Sequence, residues 1–146
     1  MPTAIKRLVD TDPVLCQQLR QRCYPINGCC AFVHRELGAY LNEYMYQDAL
    51  QIILDEKQIA YQREYYFTVT FMGKQLQHKH FVDFMIDGEI LVECKAVEAL
   101  HSEHRQQLWN YMRLTGKQIG ILYNFAPPKD QCEHYYLAKD GTMYLF

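Results

Sequence analysis

Asp83, Glu93 and Lys95 are the residues whose types and spacing point most directly to chemistry. Two converging carboxylates offer oxygen ligands to one hard divalent cation, and Mg²⁺ suits them because it prefers oxygen and keeps several waters. A cation held there lowers the pKa of a bound water and braces phosphate oxygens. A neighbouring lysine would position that water or meet the negative charge growing on the phosphorane. The same residues also have a structural reading, with Lys95 paired to Glu93 or Asp83 on a partly exposed sheet. Residue types alone leave both readings open.

The elements that carry these residues sharpen the choice. Residues 90–97 read as a strand, and side chains on a strand alternate between faces. Leu91, Glu93, Lys95 and Val97 therefore share one face, while Ile90, Val92, Cys94 and Ala96 form an apolar one. Cys94 is accordingly expected in the core rather than as a nucleophile. Glu93 and Lys95 stand out as ionisable groups on an otherwise hydrophobic strand, where burial is costly. Phe81 to Ile86 reads as the preceding strand, joined through the hairpin signal Asp87-Gly88. A strict two-residue turn would pair Asp83 with Val92 and put it on the wrong side. A three-residue loop or a bulge pairs it with Glu93 instead, and Gly88 suits either. The catalytic reading thus requires a hairpin that is not a two-residue one.

The rest of the chain supplies a frame. Asp12-Pro13 reads as an N-cap and a first-turn proline, opening a helix to about Leu37 with an expected break near Pro25 and Gly28. A second helix is expected over Leu41 to Lys57, where apolar residues recur at three- and four-residue steps. Tyr61 to Phe71 favours a strand and Met72-Gly73-Lys74 a turn. Ser102 is the expected cap of a helix reaching Thr115, which Gly116 stops. Gln118 to Phe125 reads as a short buried strand, Pro127-Pro128 as a loop, and Tyr135 to Phe146 as a terminal hairpin around Asp140-Gly141. The order predicts an α/β domain spanning residues 1–146, a mixed sheet with helices on its faces.

Composition narrows the function classes. With 146 residues, 49% hydrophobic and 22% charged, the chain is expected to fold as one domain with its own core. A formal charge of −2 argues against coating nucleic acid or anionic membrane by bulk attraction, though not against a local basic groove. No apolar run reaches the roughly 20 residues that span a bilayer. The opening Met1-Pro2-Thr3-Ala4-Ile5-Lys6-Arg7 lacks an apolar secretion core, so a cytoplasmic location with six free thiols is expected. No CxxC pair suggests zinc.

Asp83, nine intervening residues, then Glu93-Cys94-Lys95 resembles the D…(D/E)xK motif of the PD-(D/E)XK nuclease superfamily. His34-Arg35-Glu36-Leu37-Gly38 followed by Glu43-Tyr44-Met45-Tyr46 resembles the signature of its small bacterial GxxExxY family, with Tyr40 at the motif's first glycine. Val82 stands where the superfamily's motif has proline. Gln107 through Tyr111 is similar to the following QxxxY helix. The resemblance implies a restriction-endonuclease-like αβββαβ core with an N-terminal helix and a C-terminal hairpin added. It implies Mg²⁺ or Mn²⁺ held by Asp83, Glu93, Glu43 and the carbonyl of Cys94, with Lys95 and Gln107 completing the catalytic set. His34, Tyr111, Arg105, Arg113 and Lys117 become candidates for substrate contact. The implied function is metal-dependent hydrolysis of phosphodiester bonds in DNA, with RNA as a further substrate class. A homodimer would let so small a nuclease engage both strands. The alternative is a noncatalytic adaptor that retains the fold and binds nucleic acid or protein.

Overall fold

The computed structural model describes residues 5–146, so Met1–Ala4 of the N-terminal segment lies outside the described residues. The elements run β1 Lys6–Arg7, α1 Leu8–Thr11, α2 Pro13–Leu37, α3 Glu43–Glu56, β2 Tyr61–Phe67, β3 Thr70–Phe71, β4 Lys74–Gln75, β5 His80–Ile86, β6 Ile90–Lys95, α4 Ser102–Thr115, β7 Ile119–Asn124, β8 Gln131–Leu137 and β9 Met143–Leu145. The principal sheet has the order β1-β9-β8-β7-β6-β5-β2, and β3 pairs only with β4. Pairing is antiparallel except for β6 with β7 and β1 with β9. This mixed sheet flanked by helices is the expected restriction-endonuclease-like architecture.

Strand alternation divides the core. Ile90, Val92 and Cys94 pack with α2 and α3, whereas Leu91 packs with Leu108 and Met112 of α4. Cys94 is fully buried, as expected of a packing residue. Gly120 on β7 lets α4 approach closely, since a Cβ there would lie 2.6 Å from the Met112 sulfur.

Several expectations need correction. Helix α2 is not broken at Pro25 or Gly28 but continues to Leu37. Pro25 removes the N–H that would bond the Gln21 carbonyl, yet both residues are exposed, so water can meet that carbonyl. His101, not Ser102, is the N-cap of α4, and its N–H donates to His104 Nδ1 at 2.9 Å. The strand expected over Tyr61–Phe71 ends at Phe67, and β8 begins earlier than expected, at Gln131. The short β1 and α1 had no clear sequence signal. The cap at Asp12 does form, its side chain accepting from the Leu15 N–H at 3.0 Å.

Candidate active site

The hairpin between β5 and β6 decides which residues meet. Ile86 pairs with Ile90, leaving a three-residue loop, and the register runs through Met85↔Leu91 to Phe84↔Val92. Asp87 and Gly88 take left-handed φ values of 53° and 69° to make this turn, and glycine is well suited to that conformation. One step further, the same register sets Asp83 against Glu93. There side chains replace the regular ladder: Asp83 N–H donates to Glu93 Oε1 at 3.1 Å, and Cys94 N–H donates to Asp83 Oδ2 at 2.8 Å.

Asp83 is also where the outer strands turn over. Phe84 and Ile86 face the α2–α3 core, but Val82 packs on the α4 side with Met85. In β2, Tyr61 packs against the α2–α3 core, whereas Tyr65 and Phe67 pack on the α4 side. Between them Glu64 holds φ 53°, an uncommon conformation for a non-glycine residue. A cavity at this crossover is lined by Glu43, Gln47, Glu64, Phe81 and Asp83.

Lys95 stands beside the carboxylates, its Nζ 3.9 Å from Glu93 Oε2. It donates to Gln107 Oε1 at 3.0 Å, and Gln107 Nε2 donates to the Tyr111 hydroxyl at 3.2 Å. Gln107 and Tyr111 lie four apart on α4, which places them on one helix face. Glu43 comes from the first turn of α3, whose cap is Asn42 accepting from the Met45 N–H at 3.0 Å.

The electrostatics match this crowding of acids. Burial raises the Glu93 pKa well above the carboxylate range, and the Asp83 charge adds to the rise. Asp83 is raised by burial against the opposing pull of the Cys94 N–H and Lys95. Glu43 is raised by burial and by Asp83. Such mutual penalties are what a divalent cation relieves, and the oxygen donors suit Mg²⁺. Each backbone bond occupies one carboxylate oxygen and leaves acceptor capacity on the other. The donor set therefore fits the ion chemically. Among the described residues, however, no three His, Cys, Asp or Glu side chains close around a single ion position.

The other candidates are placed differently. His34 Nε2 lies 2.8 Å from the Pro127 carbonyl. Arg105 makes a two-pronged pair with Glu133 at 2.7 and 2.8 Å, and Lys117 donates to the Gly88 carbonyl at 2.8 Å. Arg113 is exposed in the last turn of α4. These four residues are not gathered around the carboxylates by contacts comparable to those of Gln107.

Two further groups had escaped the sequence reading. Arg63 donates to Asp48 at 2.7 Å, Gln51 at 2.9 Å and buried Gln47 at 3.3 Å, and its charge weakly opposes the burial-driven rise of the Asp83 pKa. Fully buried Asn124 bonds the Val97 N–H at 3.0 Å and the Val97 carbonyl at 2.9 Å, pinning the chain just past Lys95. Gln47 lies one turn beyond Glu43, a spacing that offered some signal. Arg63 and Asn124 offered none, because strand pairing brings them in.

A family model of the PD-(D/E)XK nuclease superfamily matches residues 20–135. No curated protein matches the chain. The chain is similar to a solved structure described as "Crystal structure of SSO0001", at 20% identity and TM-score 0.50, covering 63% of this chain and 48% of that one. It thus spans about half the length of that structure's chain, and the likeness shows fold alone. With its model covering most of the sequence, from α2 to β8, the chain belongs to the PD-(D/E)XK nuclease superfamily.

Proposed function

We propose that this chain is a metal-dependent phosphodiesterase acting on DNA, with RNA as a further substrate class, through Asp83, Glu93 and Lys95. The observation that carries this reading is the three-residue hairpin loop, whose register sets the two carboxylates together with Lys95 beside them. Asp83, Glu93, Glu43 and the Cys94 carbonyl are the proposed holders of Mg²⁺ or Mn²⁺. When bound, that ion supplies an acidic water and charge neutralisation for the phosphate. Lys95 orients the attacking water or meets negative charge at the phosphate, and Gln107 fixes its position. Tyr111 supports Gln107. His34, Arg105 and Lys117 would have to exchange present partners to reach a phosphate, whereas Arg113 is exposed.

We also place the chain in the GxxExxY branch. Glu43 and Tyr46 match the motif, and Tyr40 holds φ 65° at its first glycine position, in a region that favours glycine. Fully buried Tyr46 donates to the Gly38 carbonyl at 2.6 Å and stacks on Phe125, so its role is to fix the loop before Glu43.

Lys95→Ala and Glu93→Ala should each reduce cleavage of labelled DNA about 100-fold or more, with circular dichroism unchanged. Activity surviving both substitutions in purified protein would sink this mechanism. The alternative reading is the noncatalytic adaptor that retains this fold. A Mg²⁺-dependent rise in Tm that disappears in Asp83→Asn supports the enzyme. No response at millimolar Mg²⁺ favours the adaptor.

A further inference from the structure

Beyond Asp83, β2 and β5 leave the main sheet together. The pairing of β5 with β6 stops at Phe84↔Val92, but β5 stays paired with β2 out to Phe67↔His80. The segment from Tyr65 to Val82 is therefore a two-stranded ribbon, tipped by the small β3–β4 hairpin. One side is anchored: Phe67 meets Tyr111 edge-on at 5.4 Å and stacks with His80 at 5.3 Å.

The other side carries exposed aromatic rings. Tyr66 and Phe81 are cross-strand partners with ring centroids 5.6 Å apart, 44% and 50% exposed. Phe71, near the tip, is 65% exposed. Phe81 also lines the cavity that holds Glu43 and Asp83, so the aromatic face is continuous with the candidate site.

Charge identifies what such a face would hold. Residues 65–82 include no Asp or Glu, although the chain has 17 in all. They include Lys74 and Lys79, and Lys79 Nζ lies 5.8 Å from the Tyr66 ring centre. Aromatic faces with interleaved cations match flat bases on a phosphate backbone. A duplex hides its base faces in the stack, so only an unpaired strand can use both features.

We propose that the ribbon is a binding platform for an unpaired nucleic-acid strand. Its bases stack on Tyr66 and Phe81 while Lys74 and Lys79 meet its phosphates. The claim that this strand is thereby led to Asp83 rests on the nuclease reading, whereas binding to the ribbon does not.

Fluorescence anisotropy in EDTA tests binding without cleavage. The probes are labelled oligothymidine and oligouridine of about 20 nucleotides, longer than a typical ~4–16-nucleotide site, and a duplex of equal length. Wild-type protein should bind the single strands about tenfold or more tightly than the duplex. The double variant Tyr66→Ala/Phe81→Ala should lose about tenfold for single strands, the scale of one stacked base. Lys74→Gln/Lys79→Gln should flatten the log–log salt slope by about 1.4, or roughly 0.7 per phosphate contact. Thermal melts check that the variants remain folded. Comparing oligothymidine with oligouridine identifies the preferred sugar. Equal or tighter duplex binding, no binding by wild type, or no loss in the folded aromatic variant overturns the proposal. Selective binding by a protein that cuts nothing supports the platform and counts against the nuclease reading.

Discussion

At Glu93 a carboxylate lies 4% exposed beside Asp83, with Lys95 as its nearest opposite charge. Burial raises its pKa well above the ordinary value of 4.5, followed by repulsion from Asp83. The sign follows directly. A raised carboxylate binds its proton more tightly in the folded state, so its stabilising contribution is present below pH 4.5 and lost as pH rises through the folded value. Above that value the ionised group opposes folding. Metal-free Glu93→Gln should therefore be more stable than wild type at pH 8, by about 1 kcal/mol or more, with the gain shrinking toward pH 5. Paired thermal melts in EDTA check this, and a variant less stable at pH 8 would contradict it. This opposition is consistent with a site that holds acids together for an ion rather than for stability.

The elements set the relative positions of these groups. Three sequence features anticipated them: the helical periodicity of α3, the QxxxY spacing on α4, and the Asp87-Gly88 turn. The turn was the most informative, because its three-residue length decides whether Asp83 faces Glu93. The loop between α2 and α3 works similarly for Glu43. Tyr46 holds this loop from inside, its hydroxyl accepting from the Leu41 N–H at 3.1 Å. Tyr40, 72% exposed, holds φ 65°, where a Cβ is strained and glycine is not. Tyr40→Gly should therefore stabilise the protein by about 0.5–1 kcal/mol, the strain relief being reduced by glycine's greater freedom when unfolded. Urea unfolding checks the shift, and a loss of stability would mean that the Tyr40 ring contributes packing. The helix break expected at Pro25 failed for an element-scale reason: an exposed helix face can lose one hydrogen bond to water and continue.

At the scale of the molecule, a prediction for acid stability centres on a residue far in sequence from the D…ExK motif. His134 on β8 has Nε2 2.8 Å from Asn27 Oδ1 on α2, and burial followed by Arg20 lowers its pKa from 6.5 to about 4. Its unfolded form binds the extra proton across that interval, so this contribution is complete above pH 6.5 and declines as pH falls toward 4. The loss amounts to at most about 3 kcal/mol. His134→Gln should flatten stability against pH over that range in urea titrations, and an unchanged slope would assign the acid sensitivity elsewhere. The sequence by itself determined the α/β class and the buried role of Cys94, which rest on local period and turn chemistry. The D…ExK pattern and the α4 support were legible through the superfamily resemblance, and the pairing of Asp83 with Glu93 waited on the length of the turn. Only the tertiary structure decided that Arg63 would shadow Asp83, that Asn124 would pin the chain after Lys95, and that β2 and β5 would turn over at the candidate site. Each depends on which strands become neighbours, and pairing between distant segments is set by the packing of the whole sheet. The same pairing also leaves Tyr66 and Phe81 exposed, with Phe81 lining the cavity that holds Asp83 and Glu43.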